Sequence, residues 1–113
     1  MELSKEILNS GCDILFISQE ANKLYNKIQK EIFIAYKTQK KIILDVTDYC
    51  SYNFYLLNDL ENTEQTLNYT INVTIIMLRK LFVDSNIFYQ EKKITNLYDH
   101  TCYHKCIVVD WSE

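Results

Sequence analysis

The chain of 113 residues contains no proline and a single glycine, Gly11. Proline is the residue that fixes φ and stops helices, and glycine the one that enters left-handed backbone without steric cost, so two ordinary markers of chain reversal are nearly absent. Phosphate-binding loops need several glycines to let main-chain N–H groups approach an anion. With Gly11 alone, the Walker and dinucleotide fingerprints are excluded, and with them the usual nucleotide-dependent chemistries. Turns fall instead to Asn, Asp and Ser, which tolerate left-handed backbone and bond their own main chain.

An excess of positive charge is also lacking. Fifteen acids against 12 bases give a net charge of −3, and the bases adjoin one another only at Lys40-Lys41, Arg79-Lys80 and Lys92-Lys93. A nucleic-acid partner is therefore not expected. Long apolar runs are missing too: Val73 to Val83 is interrupted by Arg79-Lys80 and is far short of the roughly 20 residues that a membrane span needs. Met1 to Asn9 carries two acids and one base, unlike the basic start of a signal peptide, and an intracellular protein without membrane insertion is expected. Four cysteines, Cys12, Cys50, Cys102 and Cys106, form no Cys-x-x-Cys motif and read as thiols in a reducing compartment.

What is present is an ordinary globular balance, 48% apolar and 24% charged, which with this length points to one domain over residues 1–113. The abundance of Ile, Lys, Asn, Tyr and Leu is the residue usage of an AT-rich genome. Ser4 predicts an N-cap for a short helix through Asn9, stopped at Gly11, and Asp13 to Ile17 reads as a short strand. Ser18 predicts a second helix whose stripe is Ala21, Leu24, Tyr25, Ile28, Ile32 and Ala35. Lys41 to Val46 reads as a buried strand. Asn62 and Gln65 resemble a capping box opening a helix with Leu67, Ile71, Ile75, Leu78 and Phe82 on one face, widened by Val73, Ile76 and Met77, that ends near Asp84-Ser85-Asn86. Ile87 to Ile94 and Thr101 to Trp111 then predict a C-terminal hairpin. The expected fold is α+β: a single compact domain with two main helices packed on a small mixed sheet that ends in that hairpin.

His100, Cys102, His104 and Cys106 are zinc-ligating residue types in strict alternation. In a strand, alternate side chains are about 6.6 Å apart, so four of them span about 20 Å, whereas zinc holds its ligands within about 2.3 Å. They read better as one end of a strand leaving the core for solvent. No metal, cofactor or catalytic residue is expected, although an intracellular thiol or zinc-binding protein using this segment is the alternative reading. Carboxylate pairs such as Asp45 with Asp48, or Asp99 with Asp110, read as solubilising residues. The aromatic stretch Tyr49 to Asp59 is the candidate protein-interaction site, with Tyr52, Phe54 and Tyr55 as its contact residues, because Tyr and Phe are enriched where proteins meet.

The succession Asn22-x-x-Tyr25-x-x-Ile28, Ile42-Ile-Leu-Asp-Val46, Met77-Leu-Arg-Lys-Leu-Phe82, Ile87-Phe-Tyr89 and Ile107-Val-Val-Asp-Trp111-Ser112 resembles small α/β proteins encoded by large DNA viruses and tailed phages. The likeness runs from about residue 20 to the end. Members often place glycine before each strand, where this chain has Gln39-Lys40 and Ser85-Asn86. The resemblance implies a virion-associated or minor structural protein that acts through contacts with other proteins, itself or capsid components, in host cytoplasm or virion.

Overall fold

A computed structural model describes residues 3–47 and 60–113. Ser4 accepts from the Ile7 amide and starts α1 (Lys5–Leu8), and the chain leaves that turn through Gly11 at φ 81. The expected strand at Asp13 to Ile17 is instead the start of a helix. Asp13 accepts from the Phe16 amide as N-cap and opens α2 (Ile14–Ala35) five residues before the anticipated cap at Ser18. A short apolar run has no periodicity of its own, and here the cap in front of it decides the outcome.

β1 (Lys41–Asp45) follows, then α3 (Leu60–Leu81), β2 (Asn86–Thr95) and β3 (Thr101–Asp110). α3 begins at Leu60, so Asn62 lies inside the helix and not at its start. Leaving α3, the Ser85 amide donates to the Phe82 carbonyl, the turn expected in place of a glycine. β3 lies between β1 and β2. Both pairings are antiparallel, from Lys41↔Asp110 to Asp45↔Cys106 and from Asn86↔Asp110 to Thr95↔Thr101, so the sheet is antiparallel and not mixed. β1 and β2 thus run in the same direction on either side of β3 and are joined through α3, a split β-α-β arrangement.

The α+β class and the C-terminal hairpin stand as expected. Phe33 meets Phe82 near the last turns of α2 and α3, and Cys12 just ahead of α2 meets Gln65 early in α3, so the two helices run alongside in the same sense. Leu24, Ile28, Ile32 and Ala35 of α2 and Ile71, Ile75 and Leu78 of α3 close over Ile42, Ile87, Ile107 and Val109 of the sheet. Each fully buried Ile or Leu there contributes on the order of 1.5–3 kcal/mol. A second cluster, Ile7, Cys12, Ile17, Ala21, Tyr69 and Val73, joins α1 to the start of α2 and the middle of α3.

One buried face of α3 is polar by composition. Thr66, Thr70 and Thr74 are buried at successive i+4 positions, and the Thr70 and Thr74 hydroxyls donate to the carbonyls of Thr66 and Thr70 at 2.8 Å. Bonded to their own helix, the Thr70 and Thr74 hydroxyls need no outside partner, so these positions pack as small side chains. Ile76, expected to widen the apolar face, is exposed. No helix among the described residues is long and apolar enough to cross a membrane.

Candidate interaction surface

β3 carries the alternating Cys/His segment, and burial along it rises toward the C-terminus: Cys102 is exposed, His104 half-buried, and Cys106 through Val109 are buried. His104 Nδ1 donates to Asp45 Oδ2 across the β1–β3 pair. Asp45 Oδ1 accepts from the Thr47 amide at 2.9 Å, and the Thr47 hydroxyl accepts from the Lys105 amide at 2.6 Å. These contacts fasten the exit of β1 to the middle of β3.

The Cys106 thiol is pushed up by burial and by the Asp45 charge, with Lys92 opposing, so it is held as the neutral and less nucleophilic form. His100 precedes the strand and is exposed, and no three His, Cys, Asp or Glu side chains gather around a common point among the described residues. Asp99 occupies the hairpin turn at φ 59, whereas Asp110 ends β3, roughly 36 Å away along an extended chain. They are not a catalytic pair. Tyr52, Phe54, Tyr55 and Asp48 lie outside the described residues.

Apolar side chains gather instead where both long helices end. A pocket of about 500 Å³ is lined by Ile32, Phe33, Tyr36, Lys40, Phe82 and Trp111, together with Ser85. Each wall has a local cause. Tyr36 caps α2, its amide donating to the Ile32 carbonyl, and stands half-exposed at the pocket wall. Phe33 and Phe82 meet edge to face with centroids 6.2 Å apart. The Trp111 amide donates to the Lys40 carbonyl at 2.9 Å, extending the β1–β3 ladder by one step and holding the indole beside the pocket.

Phe33 is 54% exposed and Tyr36 50%, so two of the pocket's aromatic walls also face solvent. The Lys37 ammonium stands 5.8 Å from the centroid of the Tyr36 ring. Aromatic walls, one or two lysines at the rim and an open mouth suit an apolar or aromatic side chain with an acidic neighbour.

No protein family, curated protein or solved structure matches the chain. The surface therefore stands on its geometry alone. Its signal in the sequence is Phe33, a large aromatic residue off the Ile28, Ile32, Ala35 stripe of an otherwise amphipathic helix. A residue of that kind is spent neither on the core nor on solubility, and its exposure is the informative observation.

A second recess of about 480 Å³ lies between α1 and α3. There the Tyr69 hydroxyl donates to Glu6 at 3.4 Å and accepts from Gln65 at 3.0 Å. These bonds form a structural linkage between the two helices.

Proposed function

We propose that the chain is a protein-interaction module that works by binding and not by turnover, with the aromatic pocket of Phe33, Tyr36, Phe82 and Trp111 as its contact surface. The observation that carries this reading is the half-exposure of Phe33 and Tyr36 beside that pocket. Exposed aromatic anchors around a concavity are the composition of binding hot spots, where a few residues supply most of the affinity. Tyr52, Phe54 and Tyr55 remain part of the proposal as a second contact segment. The resemblance to proteins of large DNA viruses and tailed phages supports a virion-associated or minor structural role, in the host cytoplasm or the particle.

Quantitative affinity purification of the full chain and of Phe33→Asp, from cells producing each, tests the reading. A partner held by the pocket is recovered with the parent chain and depleted about 30-fold or more with the variant, the ratio that a hot-spot loss of about 2 kcal/mol implies. Equal recovery of every partner with both chains, the variant remaining folded, overturns it.

A further inference from the structure

Among the described residues β1 is an edge strand, and its sequence is its own complement. The hydrogen bonds flanking it, Trp111 N–H to Lys40 O and Val46 N–H to Lys105 O, establish that residues 40, 42, 44 and 46 turn their main chain toward β3. Lys41, Ile43 and Asp45 therefore point N–H and C=O groups away from the sheet. A two-fold axis through Ile43 sets Lys41 opposite Asp45 of a second copy, Ile42 opposite its Leu44, and Ile43 opposite itself. All three outward-facing residues fall in hydrogen-bonded pairs in that register, and both charge pairs are of opposite sign. A parallel arrangement sets Lys41 on Lys41 and Asp45 on Asp45.

The surroundings of this edge are open, with apolar side chains interspersed among Glu31, Thr38, Gln39 and Lys41. A groove of about 550 Å³ between the end of α2 and β1 is bordered by Ile34 and Ile43, which are 76% and 52% exposed. The other edge is guarded. Arg79 bonds the Ile87 carbonyl at the start of β2, and Lys92 and Lys93 occupy its outer half, the charged residues that discourage strand addition.

We infer that β1 pairs antiparallel with β1 of a second copy, joining the two sheets into six strands in the order β2-β3-β1-β1-β3-β2. The interface is isologous: Lys41 and Asp45 each appear twice, and Ile43 lies on the axis. This association is independent of the aromatic pocket, so either proposal can fail without the other.

Sedimentation velocity on the full chain over a concentration series, with Lys41→Glu and Asp45→Lys prepared separately and mixed, tests it. The parent chain forms a dimer; each variant alone sets like charges opposite one another and dissociates at least 10-fold more readily; the equimolar mixture restores the dimer, since both cross-axis pairs are then of opposite sign. Amide exchange on the unsubstituted chain gives a second readout. Lys41, Ile43 and Asp45 gain protection as concentration rises, while Ile42 and Leu44 are protected throughout. A parent chain that stays monomeric, a dimer indifferent to both substitutions, or outward amides whose exchange ignores concentration overturns the inference.

Discussion

Arg79 donates from Nε and from a terminal guanidinium nitrogen to the carbonyl oxygen of Ile87, at 2.9 and 2.6 Å. The contact ties the last turns of α3 to the first outward-facing carbonyl of β2, and it occupies an edge acceptor that another chain could otherwise use. Arg79→Leu removes both bonds and frees that carbonyl. We expect a loss of about 1 kcal/mol in urea unfolding, below the roughly 1.5–3 kcal/mol of bonds to charged groups because Arg79 is exposed. A variant as stable as the parent shows the contact to be incidental.

The threonine stripe of α3 separates shape from polarity. Thr70 is fully buried, its hydroxyl bonded to a Thr66 carbonyl within the same helix. Thr70→Val keeps the branched outline and orphans no donor, so a cost within about 1 kcal/mol is expected. Thr70→Leu lengthens a side chain in a filled space, and overpacking costs about 1–3 kcal/mol. Equal costs in denaturant unfolding contradict the view that this face is selected for size.

This stripe also shows where sequence reading stops. The α2 stripe from Ala21 to Ala35 was legible because its apolar residues recur at helical spacing over four turns, and all but Tyr25 are buried. Thr66, Thr70 and Thr74 keep the same spacing in polar letters, and the burial of Thr70 and Thr74 is explained by their back-bonding to the helix. Asp13 was overlooked as a cap because the apolar run behind it fits a strand equally well. The hairpin was legible from its alternation, and so was the core half of β3, Cys106 through Val109. The aromatic pocket was not, since it joins Phe33, Phe82 and Trp111 from three separate segments and no local pattern relates them.

The Asp45–His104 pair gives a pH dependence with a defined sign. Burial, the largest single influence, pushes the Asp45 carboxyl up. The hydrogen bond from His104, those from the Thr47 amide and hydroxyl, and the His104 charge outweigh it and bring the group below its ordinary value of 3.8. A carboxyl lowered in the folded state stabilises the fold above its unfolded value, and that stabilisation is lost as the pH falls through the folded value. Asp45 is 45% exposed at its side chain, so solvent screening limits the effect to about 0.5 kcal/mol. The stability advantage of the parent over Asp45→Asn should therefore shrink on acidification below pH 3.8. An advantage that grows on acidification contradicts the assignment.

Thiol labelling followed by peptide mass spectrometry should order the described cysteines. Cys102 is exposed, whereas Cys12 and Cys106 are buried and the Cys106 thiol is pushed up. Cys102 reacts first under native conditions; Cys12 and Cys106 react only at the rate at which the fold opens. Cys106 reacting as fast as Cys102 would give the thiol reading a basis that the structure does not supply.

The most direct test of the interaction surface is site-specific photo-crosslinking. A photoreactive phenylalanine analogue replaces Tyr36 at the rim of the pocket, and in a parallel chain replaces exposed Lys93 on β2. The account predicts one discrete protein adduct from position 36 that is lost when Trp111→Ala is added, and no such adduct from position 93. The same adducts from both positions, or none from position 36 in cells that make the protein, would contradict it.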